Sequence, residues 1–134
     1  MDFKQLAAHF VDLYYKGYNA HFKQGEESQI QRPNLADLYR DTSLLTNQDQ
    51  EYVGVQLIMK YLLENLKFHA KDPVNFSAQP SVGNSILICV QGDSFFVDMD
   101  PPQRLPFTEV FLITMNEQQN GFIIHNQIFS CQGV

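Results

Sequence analysis

Asp98-Met-Asp100, followed at once by Pro101-Pro102, is the sharpest chemical feature of the chain. Two carboxylates so placed can hold a hard cation, share a proton in catalysis, or receive a Lys or Arg from another molecule. On an irregular loop such acids are most often simply solvated, and what they then offer is a receptor for a basic partner. The four histidines, His9, His21, His69 and His125, lack metal-ligand spacing and read as structural. There is no Gly-x-Ser-x-Gly and no Gly-rich phosphate loop, so neither that type of nucleophile nor nucleotide binding has support. Cys89 and Cys131 lie in apolar segments without Cys-x-x-Cys spacing and read as reduced, buried thiols. No metal and no cofactor is expected.

The elements that must position these groups follow from periodicity. Phe3, Leu6, Ala7, Phe10, Val11, Tyr14 and Tyr18 recur at steps of three and four behind a capping-box start, Asp2 with Gln5, which predicts a helix over about 3–22. The polar stretch Lys23 to Asn34, with Gly25 and Pro33, predicts a loop, and Asn34 reads as the cap of a short helix in LADLYR. Two short strands flank the polar tetrad Asn47 to Gln50. Gly54 precedes a helix with Val55, Ile58, Met59, Leu62, Leu63 and Leu66 on one face. Four strands then follow, over 67–79, 85–97, 105–115 and 121–131, each bounded by turn residues. Helices first and strands afterwards predict an α+β fold, with helices packed on one face of an antiparallel sheet. Ser85 to Val90 and Val110 to Met115 are apolar on both faces, so a second copy of the chain is expected to cover the face that the helices leave open.

Length and charge set the outer limits. A chain of 134 residues fits one domain, 1–134, since domains run to about 100–200 residues. Its 44% hydrophobic content suffices for a core. Nine Lys and Arg stand against fifteen Asp and Glu, a net charge of −6. Residues 72–134 carry six acids and a single base, Arg104. Without clustered bases to neutralise phosphates, nucleic-acid binding is not expected. The longest apolar run is five residues, Ile86 to Val90, too short to span a membrane.

FKQLAAHFVDLYY, NLADLYRDTSLLT, Gly54 before a helix, VQGDSFFVDMDPPQR, TEVFLI and HNQIF stand in order over nearly the whole chain. Together they resemble the nuclear transport factor 2 family, with the stretch 23–34 as the main departure. The resemblance implies a cone of three helices on a strongly bent sheet, with an internal hydrophobic cavity and dimerisation through the sheet. It also implies a non-enzymatic carrier of the cytoplasm, nucleus and nuclear pore, which binds the GTPase Ran in its GDP form and brings it into the nucleus. Carried over by position, Asp98 and Asp100 become rim acids for Ran, and Leu66, Phe95, Val97, Ile128 and Phe129 its cavity. Asn47 and Gln48 take rim positions where the family commonly has an aromatic residue and an acid, which shifts the weight onto Asp98 and Asp100. Phe3 falls where the family binds Phe-x-Phe-Gly repeats of nucleoporins, and Cys89 and Val110 fall at the homodimer interface. The same fold hosts isomerases and dehydratases, for which Tyr14, Tyr15, His69 and His125 would be the candidates, and heterodimeric scaffolds of messenger-RNA export.

Overall fold

The computed structural model describes residues 2–23 and 35–132, with backbone alone for 21–23. The predicted cap at Asn34 and nearly all of the 23–34 loop lie outside the described residues.

Helix α1 spans Phe3–Lys23. Its first turn closes by reciprocal bonds: the Gln5 N–H donates to Asp2 Oδ1 at 2.9 Å and the Asp2 N–H to Gln5 Oε1 at 3.1 Å. Phe10, Tyr14 and Tyr18 are fully buried on its inner face. Phe10 and Tyr14 meet the Phe111 ring edge-on at 5.0 and 4.9 Å between centroids. A 3-10 turn, Ala36–Leu38, leads to the hairpin β1 Leu44–Asn47 and β2 Gln50–Val53. Helix α2, Val55–Glu64, starts at Gly54, whose φ of 90° and N–H bond to the Ser43 carbonyl suit glycine. Strands β3 His69–Pro80, β4 Ile86–Phe96, β5 Leu105–Met115 and β6 Phe122–Cys131 form the predicted meander.

One sheet contains all six strands in the order β2-β1-β6-β5-β4-β3. It is mixed rather than wholly antiparallel, because β1 pairs with β6 in parallel. The chain leaves β1, runs through β2, α2 and three further strands, and returns in β6 to lie beside it, a long crossover of the kind that parallel pairing requires. The sheet departs from regular register between Pro73 and Asn75 and between Leu112 and Ile113. At the first of these, Gly92 is obligatory: a Cβ there would stand 2.2 Å from the Asp72 carbonyl oxygen and 2.9 Å from Pro73 Cα.

Alternation divides the strands into two faces. Ile88, Val90, Phe107, Phe111 and Ile113 point into the core with α1 and α2. Leu87, Cys89, Val110, Leu112 and Ile128 form the outer face and remain half-buried or exposed. Cys89 is therefore on the outer face, and only Cys131 matches the expected buried thiol.

Candidate functional site

Between β4 and β5 the loop 97–104 carries Asp98 and Asp100, both exposed. Among the described residues neither has an ion-pair partner. Val97 and Met99 alternate with them and are also exposed, at 40% and 46%. The loop thus presents two free carboxylates and two apolar side chains together. At its base Arg104 reaches Asp72 at 3.3 Å and covers the Phe95 ring at 4.6 Å, anchoring the return into β5.

Beneath α1 the charges are handled in the opposite way. Glu109 replaces an apolar residue at an inward position of β5, between Phe107 and Phe111, and is fully buried. Lys71 Nζ, from β3, bonds both of its oxygens, at 3.1 and 3.0 Å. Tyr15 Oη donates to Oε1 at 2.8 Å and Gln127 Nε2 to Oε2 at 2.6 Å. The same Gln127 amide donates to Tyr14 Oη at 2.9 Å and accepts from Tyr39 Oη. The ammonium also lies over the rings of Phe129 and Tyr18, at 3.9 and 4.4 Å. A buried carboxylate is costly unless paired and hydrogen-bonded, and this one is both. Burial, followed by the neighbouring phenol Tyr39 and the carboxylate Glu109, holds the Tyr14 hydroxyl well above its ordinary value; for Tyr15 burial is followed by Glu109. These phenols stay protonated, and with both carboxylate oxygens engaged the cluster is a closed network rather than a poised acid or base.

The predicted cavity residues do not come together. Leu66 and Phe129 are packed in the core at 1% exposure. Ile128 is adjacent to Phe129 in β6 and so points to the other face, where it is 51% exposed. Phe95 and Val97 border a groove of about 620 Å³ that runs between α1 and β3, over Tyr15 and Lys71. Asn47 is buried, with its Nδ2 donating to Tyr61 Oη, while its Oδ1 has no hydrogen-bond partner among the described residues. Tyr61 stacks on Tyr52 at 4.3 Å between centroids. Burial pushes the Tyr61 hydroxyl up to about 12, against a smaller lowering by the Asn47 bond. Gln48 is exposed at the tip of the β1–β2 hairpin with φ of 56°, a left-handed turn conformation. Phe3 is half-buried against the rim of the core. Cys89 and Val110 are direct cross-strand partners on the outer face, and Val110 pairs in turn with Ile128.

Of the candidates for acid–base work, Tyr14 and Tyr15 sit in the Glu109 network. His69 lies in the interior with its Nδ1 3.4 Å from Tyr18 Oη, and His125 is elsewhere, bonded to Thr114 at 2.8 Å. Sequence reasoning missed Lys71, Glu109, Tyr39 and Gln127. The available signal was strand parity: Glu109 shares its parity with Phe107 and Phe111. Among the described residues no group of three or more metal-ligating side chains occurs, and no helix is long and apolar enough to cross a membrane.

A family model, Nuclear transport factor 2 (NTF2) domain, matches residues 6–131. The chain is 31% identical over 132 residues to nuclear transport factor 2 of Candida glabrata, covering 96% of this chain and 94% of that protein. Among solved structures it is similar to nuclear transport factor 2 from Cryptosporidium parvum, with a TM-score of 0.78 and 29% identity over 97% of this chain and 94% of the other. Yeast UBP3-associated protein BRE5 gives a TM-score of 0.76 at 19% identity, over 98% and 97% of the two chains, a likeness of fold.

Proposed function

The chain belongs to the nuclear transport factor 2 family, and from that premise we propose that it is a non-enzymatic, homodimeric carrier that binds GDP-bound Ran and nucleoporin Phe-x-Phe-Gly repeats and brings Ran from the cytoplasm through the nuclear pore into the nucleus. The observation that carries this reading is the loop 97–104, whose two free carboxylates, Asp98 and Asp100, are interleaved with the exposed Val97 and Met99. Such a surface suits a partner that brings bases around an apolar or aromatic contact. With Leu66 and Phe129 packed, that contact falls at Phe95 and Val97 rather than in an empty chamber. Asn47 supplies no charge and Gln48 only an exposed amide, so recognition rests on the two aspartates. Homodimerisation uses the outer sheet face around Cys89, Val110 and Ile128, and the half-buried Phe3 takes the pore repeats.

Calorimetric titration of the chain with Ran loaded with GDP, and separately with GTP, tests the proposal. Binding selective for the GDP form is the expected result, and no binding to it refutes the carrier role. Sedimentation at micromolar concentration should give twice the 15.5 kDa chain mass, and a 15.5 kDa species alone contradicts the sheet-face dimer.

A further inference from the structure

We infer that Arg104 is an internal stand-in for a basic side chain of the partner, and that Asp72, the acid it holds, is a third recognition carboxylate released when the partner's base takes its place. The inference rests on the carrier reading above and concerns how that same site opens. Asp72 and Phe95 share one face at the end of the sheet, since Phe95 pairs with Ala70 and Asp72 stands two residues on from Ala70 in β3. Arg104 engages both. Its Nη1 reaches Asp72 Oδ2 at 3.3 Å, and its guanidinium carbon lies 4.6 Å from the centroid of the Phe95 ring. All three line the groove that Val97 also borders, and Asp98 follows Val97 directly in the chain. Cys89 lies in the other half of β4, roughly 20 Å from Phe95 at about 3.3 Å per residue, so the proposed dimer contacts are centred away from this end.

The contact is suited to exchange. It is a single bond, longer than the roughly 2.7–2.9 Å of a strong charge-assisted one, between side chains that are 52% and 58% exposed. Such a pair adds little to folding, and another guanidinium or ammonium can replace it at small cost. Release without replacement is disfavoured, because Asp72 stands directly opposite Asp93 across the β3–β4 ladder and like charges so placed repel. An incoming base relieves that repulsion, and the Phe95 ring is uncovered in the same exchange for the partner's apolar or aromatic contact. Asp72 thereby adds a third acid to the two on which the carrier reading rests. Arg104 is the single base of residues 72–134, so that half of the chain holds no substitute for it.

Calorimetric titration of Ran-GDP with wild type and variants of the full chain tests this. Arg104→Ala should bind about threefold or more tightly than wild type, and the gain should shrink as salt is raised. Adding Asp72→Asn to Arg104→Ala should remove the gain. Lys60→Ala, which deletes an exposed base on α2, should bind as wild type does. If Arg104 serves only to anchor the loop, Arg104→Ala weakens binding instead, and that result overturns the inference. So does a gain that persists undiminished in the double variant. Wild-type binding with no gain in Arg104→Ala overturns this inference alone, whereas no Ran-GDP binding by either protein refutes the carrier role as well.

Discussion

Glu109 and the Asp98–Asp100 pair are carboxylates from neighbouring strands and loops of one acidic chain, yet they have opposite surroundings. Glu109 is sealed beneath α1, with every oxygen engaged by Lys71, Tyr15 and Gln127. Asp98 and Asp100 stand in solvent, without an ion-pair partner among the described residues. The first arrangement couples α1 to three strands, β3, β5 and β6, and leaves no capacity for a ligand. The second contributes little to folding and keeps its capacity for a partner. Structural and recognition charges are thus separated by whether their bonds are already made.

The interior side of this contrast breaks most readily at Lys71. Lys71→Met leaves Glu109 buried without its counter-ion and should cost about 3–5 kcal/mol in urea unfolding. Adding Glu109→Leu should recover most of that loss, because a matched apolar pair is often neutral or better than a buried ion pair. A single variant as stable as wild type would show that the pair is not what holds α1 to the sheet.

Alkaline pH probes the same network more gently. Tyr14 and Tyr15 are raised well above 10.0 and Tyr61 to about 12, burial being the largest cause in each. The folded chain therefore keeps protons that the unfolded chain releases near pH 10. Stability should be intact below that value and decline as pH rises through it, since the unfolded state then binds fewer protons. Unfolding midpoints measured from about pH 9 to about pH 11 check this, and Tyr15→Phe should make the decline shallower.

Smaller effects sharpen the boundary between the two regions. Asn47→Leu combined with Tyr61→Phe removes the unpartnered Asn47 Oδ1 together with the bond that Asn47 makes, and should change stability by no more than about 1 kcal/mol. Arg104→Ala removes an exposed pair and should alter the unfolding midpoint least, by about 0.5 kcal/mol or less.

Much of this was legible in the residues. The α1 stripe, the Asp2–Gln5 cap, the β1–β2 turn and the four later strands follow directly from periods of 3.6 and 2 and from turn residues. The parallel β1–β6 contact did not, because pairing between strands some eighty residues apart leaves no local pattern. Ile128 and Phe129 show a rule that was available: neighbours in a strand face opposite sides and cannot line one cavity. Lys71 and Glu109 were harder. A charge in a strand is ordinarily taken as solvated; the parity that Glu109 shares with Phe107 and Phe111 marks it as inward, but only the fold brings Lys71 to it as counter-ion. The exposed acid loop was the easiest part of the site to locate, because its Pro and Asp residues mark an irregular, solvated connection.

The most direct measurement is the titration of GDP-bound Ran with the double variant Asp98→Lys, Asp100→Lys, alongside its urea unfolding. The unfolding midpoint should stay within about 0.5 kcal/mol of wild type, while Ran-GDP affinity should fall by about 2 kcal/mol or more, roughly thirtyfold. Wild-type affinity in the double variant would contradict it.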